Sequence, residues 1–252
     1  MEKNMLNTSL KVGDIINKSW ELTKKHFPVF LLIYIIIGMI TFLPEATYYG
    51  PYIGSIMKYG TAITEEQWMS IMLENGEIGN WLMWILVVYV AVFFINNYLM
   101  ITYLRMLNGA VMENKVVMIA ELKNARHSYW FYIGSYLIYS LITTLGVMCC
   151  ILPGIYLGIR YMFVPMIVST NPQITFSEAF NRSWQMTKGN FWMLLWLGIV
   201  ACFINIIGLL CCCVGIIISI ILTYMMYAYA YKLLSTTVSD ATVEIIEEIV
   251  EQ

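Results

Sequence analysis

One arginine, Arg160, stands inside an otherwise apolar stretch, and its charge is the strongest chemical signal in the chain. A guanidinium in hydrocarbon is expensive unless it is paired, hydrated or able to reach the interface. The residue therefore reads in two ways. It contacts an anion such as a lipid phosphate, or it is paired structurally and reaches an outer surface about 10 Å away at 1.5 Å per residue. The amides Asn96, Asn97 and Asn205 are its nearest polar company in the apolar stretches. Such amides join helices, at about 1 kcal/mol each, or bind ligands. Cys149 with Cys150, and Cys211 with Cys212 and Cys213, sit at equivalent helix ends, which suits either a disulfide between hairpins or packing as small apolar residues. Adjacent cysteines lack zinc-site spacing and no histidine lies near them, so no metal and no cofactor is expected. The two histidines, His26 and His127, stand at the mouths of apolar stretches, where a pH response and plain interfacial solvation are the alternatives. No Gly-rich phosphate loop, His-Glu-x-x-His pair or Gly-x-Ser-x-Gly elbow occurs, so an enzyme is not expected.

The elements that must position these residues are membrane spans. Composition is 60% hydrophobic and 12% charged, with a mean hydropathy of +0.72, against about 25% charged for a soluble domain. Crossing about 30 Å of hydrocarbon takes about 20 helical residues. The hydropathy pattern predicts spans at 27–43, 81–104, 130–150, 153–169, 191–210 and 214–234, and an all-α polytopic fold. Every Asp and Glu falls outside these spans, which argues against proton-driven transport.

Cationic flanks resist translocation. With six spans, twelve of the fourteen Lys and Arg residues fall on one side, Lys58 alone on the other, and Arg160 within a span. Both termini are then expected in the cytoplasm. The external loop, 44–80, is acidic and Tyr-rich, and Thr64-Glu-Glu-Gln starts a short helix inside it. The first span ends in Phe42-Leu43-Pro44-Glu45, not a small-residue cleavage site, so no signal peptide is expected.

A repeat organises the chain. Asn17-Lys-Ser-Trp-Glu-Leu-Thr-Lys24 returns as Asn181-Arg-Ser-Trp-Gln-Met-Thr-Lys188, each copy running into an apolar segment. The first lead-in, 9–26, gathers Val12, Ile15, Ile16, Trp20 and Phe27 on one face. The third, 175–189, gathers Phe176, Ala179, Phe180 and Trp184, with Thr175 and Glu178 as a capping box. Trp20 with Lys18 and Lys24, and Trp184 with Arg182 and Lys188, form candidate lipid or interface contacts, because indoles tolerate headgroups and cations meet phosphates. Ser19 with Thr23, and Ser183 with Thr187, share a face beside each Trp and suit either helix packing or lipid contact. A weaker register of 62 residues relates Gly146-Val-Met-Cys-Cys150 to Gly208-Leu-Leu-Cys-Cys212. It gives a middle unit with a lead-in at 118–128. The expected architecture is three parallel repeats of interfacial amphipathic helix plus helical hairpin.

Leu152-Pro-Gly-Ile-Tyr-Leu157, Arg160-Tyr161, Val164-Pro165, Glu178-Ala-Phe-Asn-Arg-Ser-Trp184 and Lys188-Gly-Asn-Phe191 together resemble the membrane domain found beside glycerophosphoryl diester phosphodiesterases. The chain is also similar to related bacterial polytopic membrane proteins of the YciC type. The resemblance runs from about Val12 to Leu234 and implies a six-helix bacterial inner-membrane module. No stretch is left for a phosphodiesterase domain, so that activity is not expected.

These readings converge on a non-enzymatic, lipid-associated or scaffolding protein, with membrane lipids and a second copy or another membrane protein as partners and no nucleic acid. The alternative from another class is a transporter or channel for a small anionic or lipidic solute, with Arg160 in its pathway. The acidic tail, 239–252, is either a short amphipathic helix docking on basic cytoplasmic helices or a solvated segment.

Overall fold

A computed structural model gives the placement of residues 12–59 and 64–250, apart from the side chains of 58, 59, 65, 212–214 and 238–250. The tail's side chains, Lys3, Lys11, Lys58, Cys212 and Cys213 therefore lie outside the described residues, as does the start of the 9–26 lead-in. Among the described residues every regular element is a helix: α1 Val12–Thr41, α2 Leu43–Tyr59, α3 Glu65–Glu74, α4 Ile78–Met112, α5 Met118–Cys149, α6 Ile151–Tyr161, α7 Val164–Thr170, α8 Phe176–Thr187, α9 Phe191–Leu210 and α10 Cys212–Val250. Six stretches are long and apolar enough to cross a bilayer: Val12–Thr41, Ile78–Met112, Met118–Cys149, Ile151–Thr170, Phe191–Leu210 and Gly215–Thr237. Their exposed surface carries Trp84, Trp130, Leu152, Trp192 and Leu210. So much apolar surface facing outward is stable only against lipid.

Several boundaries differ from the sequence pattern. Where a lead-in at 9–26 and a span at 27–43 read as two helices, α1 is one, running through Pro28. The middle lead-in is likewise continuous with its span in α5. After the second copy of the block, by contrast, the chain breaks between α8 and α9, where Gly189 adopts φ +86°. This left-handed conformation suits a residue without Cβ, and the equivalent position in the first copy is Lys25, a good helix former. The fourth span is divided at Met162–Phe163 into α6 and α7, with Pro165 in the first turn of α7, where its missing N–H is harmless. The second span continues past 104 to Met112, and α10 extends as a helix through the tail to Val250.

The described chain divides into two compact units, Leu32–Met100 and the remainder. In Leu32–Met100 the stretch read as an external loop holds α2 as well as α3. The Pro44 and Gly50-Pro51 breakers concealed α2 in the sequence, yet the helix runs through Pro51. Thr64 caps α3, its hydroxyl accepting from Gln67 N–H while Gln67 Oε1 accepts from Thr64 N–H. Trp68 and Trp81 are buried, with ring centroids 5.0 Å apart, and Tyr48 and Tyr52 pack against them. Asn96 Nδ2 donates to Thr41 Oγ1 at 2.8 Å and so joins α4 to α1 within this unit, whereas Asn97 donates to Phe93 O of its own helix.

In the other unit α5 packs on α6 and α7, α9 on α10, and α8 on α6, α7 and α10. Glycines set the closest approaches. A Cβ on Gly146 would stand 3.0 Å from Gly154 Cα, and one on Gly208 would run into Ser219 and the Gly215 carbonyl. Small residues let membrane helices exploit backbone proximity when water offers no driving force between them. Asn205 bridges α9 and α10, donating to Thr223 Oγ1 at 3.0 Å and accepting from Ser219 Oγ at 3.0 Å. Arg105, one residue beyond the expected end of its span, binds Glu121 Oε2 of α5 at 2.8 Å and donates to the Ser169 carbonyl of α7. Both charges of that pair are largely buried. Removing either partner would strand the other, which makes such pairs sensitive to single substitutions.

Candidate functional site

The environment of Arg160 is built by three helices. α6 supplies Tyr156 and Arg160, four residues apart and hence on one face, α8 supplies Ser183, Trp184 and Thr187, and α9 begins with Phe191. α8 starts sharply because Thr175 and Glu178 cap it reciprocally. Glu178 Oε2 accepts from Thr175 N–H at 2.9 Å, and Glu178 N–H donates to Thr175 Oγ1. The Thr175 N–H, and the Thr175 hydroxyl donating to Oε2 at 2.8 Å, hold the Glu178 carboxyl below its usual range. Gly189 then turns the chain so that Phe191 reaches Tyr156.

The guanidinium carbon lies 4.7 Å from the Trp184 ring centroid, 5.1 Å from that of Tyr156 and 5.9 Å from that of Phe191. Those rings also pack on one another, and Trp184 and Phe180 meet Tyr161. A cation held against aromatic faces gains about 0.5–2 kcal/mol, more as water is excluded. Hydrogen bonding at the head group is thin. Nη1 donates to Thr187 Oγ1 at 3.5 Å, and Nε is buried with no partner. Among the described residues no carboxylate comes within ion-pair distance of it. The Arg160 carbonyl, by contrast, accepts from Ser183 Oγ at 2.9 Å.

Arg160 thus points into the α8 aromatic frame. The amides expected as its company are engaged elsewhere: Asn205 within the α9–α10 hairpin, Asn96 and Asn97 within Leu32–Met100. The buried line of α8 runs through Ala179, Ser183, Met186 and Thr187, so Phe176, Phe180 and Trp184 flank the contact and do not form its centre. Ser183 and Thr187 are therefore helix-packing residues. Their small side chains permit the approach that an indole would prevent. Arg182 is half-buried and Lys188 is exposed.

The first copy of the block repeats the burial without the arginine. Ile15, Ser19, Thr23, Phe30 and Ile33 are buried in α1, at positions equivalent to Ala179, Ser183, Thr187, Leu194 and Leu197. The Ser19 and Thr23 hydroxyls have no hydrogen-bond partner. Trp20 is 42% exposed. Lys24 Nζ stands 5.6 Å over its ring, and Lys18 pairs with Glu21 on the same open side at 3.0 Å. Just beyond, Lys25 Nζ donates to Asn114 Oδ1 at 2.9 Å. Cys149, Cys150, Cys202 and Cys211 are free thiols. Sequence reasoning overlooked Tyr156 and Phe191, although Tyr156 lies four residues before Arg160. It also ended the second span at 104, one residue short of Arg105, where α4 continues.

The six apolar helices define a polytopic integral membrane protein. Residues 130–251 match the family described as the membrane domain of glycerophosphoryl diester phosphodiesterase, a stretch that contains the likeness carried by 152–191. The match begins at the third span, and the first copy of the block lies before it. No curated protein and no solved structure matches the chain.

Proposed function

We propose that this chain is a non-enzymatic, lipid-associated scaffold of a bacterial inner membrane. It would be built as three parallel hairpin units with both termini in the cytoplasm. The observation that carries the reading is the open face of α1. Trp20, Lys18 and Lys24 project from the side opposite the buried Ile15, Ser19 and Thr23. With 30 residues, α1 is about 45 Å long, about 15 Å more than the hydrocarbon core. Its first turns therefore emerge among headgroups or the helix tilts, and an indole beneath lysines suits that boundary. Lys24 over the Trp20 ring keeps its ammonium at the phosphate level, where each cation near an anionic leaflet contributes about 1 kcal/mol. The excess of Lys and Arg on one side supports cytoplasmic termini.

The test is retention of lipid by the full chain. Native mass spectrometry after release from nanodiscs containing phosphatidylglycerol should show bound anionic lipid. The triple variant Lys18→Gln, Trp20→Ala, Lys24→Gln should lose most of it. Equal retention by the triple variant removes the reading. Cysteine-accessibility mapping of both termini checks the orientation, and labelling of either from outside would reverse it.

A further inference from the structure

Arg160 is a thinly compensated cation within an apolar stretch. Arg105, by contrast, has Glu121 and the Ser169 carbonyl, and Lys232 donates to the Val111 carbonyl at 2.6 Å. Arg160 has three ring faces, one hydroxyl at 3.5 Å and a buried Nε without an acceptor. π faces stabilise a cation but accept none of its in-plane N–H bonds. The rings therefore leave the guanidinium donors short of acceptors: Nε–H is enclosed without a partner, and Nη1 has only the Thr187 hydroxyl at 3.5 Å. A guanidinium left short of acceptors can take an oxyanion through its Nη donors in a charge-assisted hydrogen bond. Access lies along the rim, where Tyr156 is 37% exposed and Lys188, next to Thr187, is exposed as a second cation. A carboxylate ligand would be met as well by the strongly hydrated surface lysines. A tetrahedral phosphate, with several oxygens, can take a bond from Arg160 and still offer oxygens to other donors.

We propose that Arg160, framed by Tyr156, Trp184 and Phe191, is a binding site for one phosphate group, carried by a phosphodiester lipid headgroup or free in solution. The lipid form deepens the scaffold reading, but it stands on residues separate from Trp20, Lys18 and Lys24, so either can fail alone.

The chain has four arginines, so 15N-labelling of arginine Nε gives a simple spectrum of the full-length protein in dodecyl maltoside. Arg160→Lys deletes one signal and assigns it. Inorganic phosphate and dihexanoyl phosphatidylglycerol are titrated separately. The Arg160 signal should move with saturation toward the hydrogen-bonded range for at least one probe, while Arg105, already paired, should not. In parallel, native mass spectrometry compares wild type, Arg160→Gln and the Trp20/Lys18/Lys24 triple variant. Loss of one charge-assisted contact of about 1.4 kcal/mol weakens binding about tenfold in Arg160→Gln. Response to inorganic phosphate alone identifies free phosphate, and response to the lipid alone identifies the headgroup. If neither probe moves the Arg160 signal, the proposal is overturned, whether or not Arg160→Gln folds. Lipid lost from the triple variant with an unmoved Arg160 signal would leave the scaffold reading standing without this site.

Discussion

The two copies of the Ser-Trp-x-x-Thr-Lys block bury the same positions and expose different chemistry. In α8 the serine and threonine hydroxyls close on the Arg160 backbone and side chain, and the tryptophan turns its face to the guanidinium. In α1 the same hydroxyls are buried without partners, and the tryptophan stands open under Lys24. One sequence block therefore serves two ends. Its small residues make a packing seam in both places, and its indole is a structural wall in one and an interface residue in the other. What separates them is supplied from outside the block, by Arg160 and Tyr156 on α6.

Substitutions at paired positions test this contrast. Trp184→Ala removes ring packing and the cation–π contact and should lower stability by about 2–3 kcal/mol, whereas Trp20→Ala should cost less than about 0.5 kcal/mol. Thermal unfolding of the detergent-solubilised chain measures both, and equal losses would dissolve the distinction. The threonines should differ in sign. Thr187→Val forfeits hydrogen bonds and costs about 1 kcal/mol, whereas Thr23→Val relieves a buried unpaired hydroxyl and stabilises by about 0.5–1 kcal/mol. Gly189→Ala meets no neighbouring atom and should still cost about 1 kcal/mol, because its φ is left-handed, while Lys25→Ala in α1 should be nearly neutral.

The smallest effect concerns pH. The Glu178 carboxyl is held low in the folded state, so its contribution is complete above the ordinary value of 4.5 and disappears as pH falls through the lowered one. Unfolding temperature should therefore drop more steeply below that range in wild type than in Glu178→Gln. Identical pH profiles would show that the cap contributes nothing measurable.

The six spans were legible because length and hydropathy impose them on any chain that must satisfy its backbone in lipid. The face of each lead-in was not. Hydrophobicity assigns the inward side to Trp20 and Trp184, while packing between membrane helices favours Ser19, Thr23, Ser183 and Thr187, whose merit is small size. Arg160 was visible as a cation out of place, but its aromatic company is spread over α6, α8 and α9, and only the turn at Gly189 brings Phe191 to it. The prolines and glycines of 44–54 read as a loop because each breaks an isolated helix, yet α2 persists where buried tryptophans pack beside it.

Arg105 also bears on the order in which the bundle can close during synthesis. Its partner Glu121 follows 16 residues later and the Ser169 carbonyl 64 residues later. A ribosome delivers the carboxylate first, so the charge is neutralised as α5 begins, while most of the chain is still unmade. The carbonyl arrives only when α7 is complete. The guanidinium acts as a latch whose two partners arrive in turn, the carboxylate of α5 before the carbonyl of α7.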